Sequence, residues 1–480
     1  MSMFTSSLRT VALVMGLAAG GLGLCRADEP TAEVGLNAQR ENQLLALQSQ
    51  ELGLAQLPAA QSYLDALVQR IQAAGPQPAH FMQVRVRPRL SYNAFSTSEG
   101  WMVIDLGWLK SIDSEPELAA LLSHEYAHLM LGHMGTKNAL GTVTHMALAG
   151  AAIATGNARN DHGITRSLTE SGWSELVMPQ WSRSQELDAD AFAVDITQSL
   201  GYAFVPSVRA FLERIQSVER HGKATPAVPS GSGTDDHPSI EERIAQAQKL
   251  VEGRPRQRPA ARGVDAWRAV RDSADFRSQE AEYLVVAQCL QAAATGDKNG
   301  LAGSMRALAA LPQPLHTAAA QTLQAMTMPS QEPERVAAAL TRITEAPDAS
   351  FAAYQLLARL QRDALGHYDT AVATLQAGLE RFGSPPALYP DVITFQREVN
   401  ERIDALPQDQ RSLGLSLYSV RNAASMLVLK TRCLADPLYA EPCSWASLNE
   451  AQRQAQIRKQ QERQTAMEQK LQQKVNKLFK

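Results

Sequence analysis

The segment His124-Glu125-Tyr126-Ala127-His128 constrains the fold more than any other stretch, because its chemistry works only on a helix. Two histidines four residues apart project from one helical face. Each imidazole then gives one nitrogen to a single zinc ion at about 2.0–2.1 Å. Glu125 sits beside the first histidine, where its carboxylate reaches a zinc-bound water without being a ligand. It is the candidate general base, taking the water's proton and passing it to the leaving amine of a peptide bond. Zinc lowers the pKa of such a water toward ~7 and polarises the scissile carbonyl. The helix is legible in its flanks. Ser114 is a good N-cap, Glu117 completes a capping box, and Leu118, Leu121, Leu122, Leu129 and Leu131 carry the apolar pattern to about His133. The bland reading of the same residues is a core helix with two satisfied histidines.

A catalytic zinc site needs a third protein ligand. Gln185-Glu186-Leu187-Asp188-Ala189-Asp190 opens a second helix, predicted over Ser184 to Leu200, and offers Glu186. Asp190 lies four residues on, on the same face, placed to accept the free N–H of His124 and fix its tautomer. Asp188 is an extra acid that faces away or competes as ligand. His133, about 140° round the helix from His128 by ideal geometry, is left out of the ligand set. His80, His145, His162, His221, His316 and His367 have no partners at metal spacing.

Around this pair of helices the pattern is mixed. Two helices are expected over Asn37 to Leu54 and Ala59 to Ala74, and short strands at Val84 to Arg87 and Trp101 to Asp105. The small, apolar run 140–155 is too short and too interrupted to span a bilayer and reads as a packed helix or flap; 156–180 reads as a long loop of the kind that forms lids. After the Pro/Arg-rich stretch 254–264 the strand signal ends. Residues 265–405 are Ala/Leu/Gln/Arg-rich with helical periodicity, within a separate α-helical repeat-like domain expected over 265–445, and Phe351 to Leu365 followed by Tyr368, Ala371, Leu375 and Leu379 reads as a helical hairpin of tetratricopeptide-like kind. Residues 446–480 form a polar, solvated helix.

The N-terminus reads as a targeting segment. Arg9 precedes an apolar run from Val11 to Leu24, and Cys25-Arg26-Ala27 supplies small residues for cleavage, so 1–27 is read as a secretory signal and the mature chain as periplasmic. Lipoprotein anchoring at Cys25 is the weaker reading, since Leu24 is bulky. In an oxidising compartment Cys433 and Cys443 are spaced for a local disulfide, while Cys289 is left as a buried thiol. A net charge of −3 without basic or acidic tracts gives no reason to expect nucleic acid as a partner.

Asn93-Ala94-Phe95, Trp101 to Asp105, Leu122 to His128, Ser182 to Asp190 and His237-Pro238 with Arg243 together resemble the zinc metalloproteases of the HtpX and CAAX prenyl protease type. The resemblance covers about residues 37–250. The layout of signal, protease core and helical repeats is most like that of periplasmic members acting in β-barrel assembly. It implies one zinc per chain held by His124, His128 and Glu186, with Glu125 as base, Asp190 behind a ligand and Arg243 as an ion-pair partner near the site. It implies a role for His237, as oxyanion donor or as inhibitory occupant of the open zinc position; the bland reading is a cap for the helix starting at Pro238. It also implies that Trp101, Met102, Val103 and Ile104 form the edge strand receiving substrate backbone.

The resulting expectation is an α+β chain with a mainly helical zincin-type core (28–253) carrying a small sheet, then an all-α repeat-like domain. Its partners would be unfolded or misassembled proteins and outer-membrane assembly machinery, with at most peripheral membrane association. Two rivals remain at this point: a scaffold whose zinc site is latent, and an integral-membrane protease that uses 140–155 as a span.

Overall fold

A computed structural model describes residues 29–133, 181–222, 238–252, 265–328, 331–408 and 415–478. The signal segment, the 140–155 flap, the 156–180 loop, the linker 254–264, His145, His162 and His237 all lie outside the described residues. The architecture is α+β, mainly helical, with one small sheet and a helical C-terminal region.

Two helices open it, α1 (Glu29–Ser49) and α2 (Pro58–Ala74). The first ends short of the expected Leu54 because Glu51 and Gly53 adopt positive φ, and the Gln48 side chain accepts the Leu54 N–H in place of a helical carbonyl. Three strands follow: β1 (Gln83–Arg87), β2 (Ala94–Ser96) and β3 (Trp101–Asp105), in the order β1-β3-β2. Gly100 turns the chain from β2 into β3 at φ +91°, where any side chain would collide with the Phe81 carbonyl. The central strand is therefore β3. It pairs parallel to β1 from Gln83↔Trp101 to Arg87↔Asp105, and antiparallel to β2 from Ala94↔Ile104 to Ser96↔Met102. This corrects the expectation that Trp101, Met102, Val103 and Ile104 form an edge. Every residue of the strand is buried and both of its hydrogen-bonding sides are taken. A continuous apolar run fits such a central position as well as it fits an edge.

After the short α3 (Leu106–Ser111), Ser114 caps α4 (Glu115–Met130), its hydroxyl accepting the Glu117 N–H. The second half of the expected capping box is rerouted: Glu117 accepts from the Asp113 N–H and pairs with Arg214. Glu115 takes the hydroxyls of Tyr63 and Tyr202 and, at 2.6 Å, Arg70. These contacts fix the first turn of a helix that is buried on all sides from Glu115 to Leu129. Against α4 packs α5 (Arg183–Ser199), opened by a full capping box between Ser182 and Gln185. A π-turn (Val205–Arg209), α6 (Ala210–Gly222) and α7 (Ile240–Val251) complete this part.

From α8 (Ala266–Arg271) onward the described chain is helical up to Leu478. Trp267 is fully buried and its indole donates to the Ile112 carbonyl at 3.0 Å; Arg271 donates to the same carbonyl at 2.8 Å and to Asp113 at 2.9 Å. The Gln56 N–H donates to the Tyr283 hydroxyl at 2.8 Å. One apolar cluster runs from Leu52 through α4 and α5 to Leu323 and Ala352, so the early C-terminal helices share the core of the zinc-motif helices. Farther on, Phe351–Asp363 and Tyr368–Arg381 form the expected antiparallel hairpin. Gly378 lies so close to the Tyr354 ring that a Cβ would come within 2.7 Å of it. Cys433 and Cys443 are joined as a disulfide, and Cys289 is a buried free thiol.

Glu282 gives a test of how these C-terminal helices are held together. Burial alone would raise its carboxyl, but the His316 and Thr317 N–H groups and the Thr317 hydroxyl, at 2.8–2.9 Å, outweigh that and hold it below the usual range. A depressed folded-state value gives stability that is present above the unfolded value of about 4.3 and lost as pH falls through the folded one. Glu282→Gln is expected to cost about 1.5–3 kcal/mol at pH 7, and the gap to wild type should close below pH 4. Denaturant unfolding across that range checks it; a gap independent of pH would refute the charge argument.

Candidate metal centre and active site

One turn of α4 separates His124 from His128, and their rings meet edge to face with centroids 4.9 Å apart. Their Nε2 atoms lie 3.3 Å from each other. Glu186, in the first turn of α5, reaches in from the neighbouring helix: its carboxylate oxygens lie 3.6 Å from His124 Nε2 and 4.0 Å from His128 Nε2. The donor atoms of these three residues fall within 4.8 Å of one another. Ligands about 2.0–2.1 Å from one tetrahedral zinc would be separated by roughly 3.3 Å, so this donor set fits the ion. Asp188 is exposed and stands outside the set.

Glu125 is buried beside this cluster. Burial, opposed by His124 and Arg243 and helped by the nearby Glu186 carboxylate, pushes its carboxyl up to about 7. His128 is lowered, by burial first and then by His124, His133 and Arg243, and so stays neutral, the form whose lone pair binds a metal. For His124 burial also acts downward, but Asp190 and Glu186 outweigh it and hold the imidazole above its usual value.

The supports of the two histidines differ. His124 Nδ1 faces Asp190 Oδ1 at 3.1 Å, near in distance though off the ideal N–H direction. Asp190 is itself clamped by Arg243, through two hydrogen bonds of 2.7 Å, and the third arm of the same guanidinium lies 2.9 Å from Glu186. Arg243 therefore ties both acids of α5 to α7. Among the described residues no carboxylate stands behind His128 Nδ1. Its Nδ1 lies 3.0 Å from His133 Nδ1, and the Trp181 ring stacks on it at 4.3 Å and 13°.

His133 and Trp181 carry no weight in the sequence reading. Ideal helical geometry swings His133 away from His128, but the helix ends at Met130 and Gly132 takes φ +65°. The chain folds back, the His133 N–H donates to the His128 carbonyl at 3.0 Å, and the two rings meet. The signal was present in Leu131-Gly132-His133, since a left-handed glycine just past a helix reverses the chain in this way.

A buried helix carrying two histidines and a glutamate, completed by a glutamate from a second helix, defines a metallopeptidase centre of the gluzincin class. Residues 58–251 match the model of peptidase family M48. The chain is 29% identical over 196 residues to the metalloprotease LoiP of Escherichia coli (strain K12), covering 39% of this chain and 69% of that protein. It is 26% identical over 205 residues to the putative beta-barrel assembly-enhancing protease of Vibrio cholerae serotype O1, covering 41% of this chain and 40% of that protein. The matched stretch thus spans less than half of this chain and of the second relative.

Proposed function

We propose that this chain is a periplasmic zinc endopeptidase that degrades misfolded or stalled outer-membrane proteins, with its C-terminal helices capturing those substrates. The observation that carries the enzymatic part is the convergence of His124, His128 and Glu186 donors beside a buried glutamate that is not among them. The envelope role is supported by the signal-like residues 1–27, by the Cys433–Cys443 disulfide and by similarity to a putative beta-barrel assembly-enhancing protease. No helix among the described residues is long and apolar enough to cross a membrane.

When bound, zinc supplies an activated water and polarises the scissile carbonyl. His124, His128 and Glu186 would hold it. Glu125 accepts the proton of the attacking water and returns it to the departing amine. Asp190 keeps the Nε2 lone pair of His124 aimed inward, and Arg243 keeps Asp190 and Glu186 in place. Substrate backbone is received by β2. In its pairing with β3, Asn93 and Thr97 bond inward to Asp105 and Trp101, so the alternate residues Ala94 and Ser96 turn their N–H and C=O groups outward. The Ser96 hydroxyl donates to the Glu125 carbonyl at 3.2 Å, so this edge lies directly against the zinc-motif helix. An extended peptide added there would lie alongside the general base. The functional edge is then one strand away from the one expected.

The test offers the purified chain an unfolded outer-membrane β-barrel protein and the same protein after assembly in detergent. Cleavage of the unfolded form alone is expected, abolished by a zinc chelator and restored by one equivalent of zinc. Suppression of substrate aggregation that survives chelation, with no cleavage at any zinc level, would favour the scaffold reading and sink this one.

A further inference from the structure

We infer that His133 is a positioning residue for the metal ligand His128, acting as a neutral hydrogen-bond acceptor behind it. The inference rests on the reading of His124, His128 and Glu186 as the metal set.

The Nε2 atom of His128 points into the donor cluster, 3.3 Å from His124 Nε2. For that nitrogen to offer its lone pair, the ring proton must sit on Nδ1. The group facing Nδ1 is His133 Nδ1, at 3.0 Å. Two ring nitrogens at that distance share one proton, so His133 presents an unprotonated Nδ1 and keeps its own proton on Nε2. Ligating histidines ordinarily donate their free N–H to a carboxylate, a backbone carbonyl or water, and the partner sets both tautomer and ring orientation. His124 has the Asp190 carboxylate on that side, 3.1 Å from its Nδ1. His128 departs from it, with a neutral imidazole as acceptor.

Two features show that this contact is built. Gly132 at φ +65° and the His133 N–H bond to the His128 carbonyl bring the two residues back together just past the helix end. Trp181, immediately before the cap of α5, stacks on His128 with an interplanar angle of 13° and contacts His133 at 6.0 Å between centroids. The His128 ring is thus held in its plane by Trp181 and about its axis by His133. The consequence is an uneven pair of ligands. His124 is backed by a carboxylate, Asp190, itself paired with Arg243, and is the stronger donor; His128 is backed by a neutral ring and is the weaker one.

The experiment is zinc affinity by chelator competition on the full chain, with wild type, His133→Ala and His133→Gln, and circular dichroism of each zinc-free protein to check folding. Wild type should bind one zinc. His133→Ala should bind about 10–100-fold more weakly, the usual effect of losing such a partner. His133→Gln, whose amide oxygen can replace the acceptor, should recover most of that loss. The visible spectrum of the cobalt-loaded protein should shift in His133→Ala and return in His133→Gln. Equal affinity in all three proteins overturns the inference, as does equal weakening in both variants, which would mean that ring shape and not the acceptor matters. Failure of wild type to bind zinc would overturn the metal reading itself, and this inference with it.

Discussion

Glu125→Gln should abolish peptide hydrolysis while leaving the zinc in place. The glutamate lies outside the donor set formed by His124, His128 and Glu186, so amidation removes no ligand. It removes the group that exchanges a proton with water and leaving amine, and general acid–base catalysis of this kind contributes about 10²–10⁴-fold. The change is nearly isosteric and falls on a side chain buried in the second half of a tightly packed helix, so folding should survive. Metal analysis, circular dichroism and turnover of an unfolded substrate together make the measurement. A variant that binds zinc, folds and still cleaves within tenfold of wild type would remove Glu125 from the chemistry. A variant that loses cleavage yet keeps all cellular function would return the scaffold reading.

The second large effect is expected at Arg243. Its guanidinium satisfies both oxygens of Asp190 and one of Glu186, and all three side chains are largely removed from water. Replacing it by methionine of similar length leaves two acids facing each other without their cation. Breaking a buried pair from one side typically costs about 3–5 kcal/mol. With about 2–4 °C per kcal/mol for domains of 150–250 residues, the zinc-free melting temperature should fall by about 6–20 °C. Lysine should recover only part of this, because a point charge cannot make the two-pronged contact. Bound zinc should narrow the gap for Glu186 but not for Asp190. Scanning calorimetry with and without zinc distinguishes these outcomes. A loss under about 1 kcal/mol would mean that the α5–α7 contact is held by apolar packing alone.

Much of the centre was legible in the chain. The four-residue spacing of His124 and His128, the cap at Ser114 and the acid-bearing opening of a second helix are local signals, and local signals survive without knowledge of the fold. The same holds for the hairpin at 351–381 and for the pairing of Cys433 with Cys443, which is short-range. What failed was long-range. Whether Trp101 to Ile104 is central or peripheral depends on the three residues of β2, too few to announce themselves by periodicity. His133 was discounted by a helical-wheel argument that assumed the helix continues, when Gly132 had already ended it. The rerouting of Glu117 to Arg214 depends on a helix about a hundred residues away in sequence.

The burial of Trp267 has a consequence for what counts as a working piece of this protein. The family match stops at residue 251, yet the carbonyl of Ile112, two residues before the cap of the zinc-motif helix, is met by Trp267 and Arg271 from beyond that point. A fragment trimmed to the match would bare an apolar socket and strip this carbonyl of the two donors beside the helix that carries the chemistry. The limit of recognisable ancestry and the limit of a self-sufficient fold thus fall at different places along the chain, and an engineer seeking a minimal peptidase should cut well after α8.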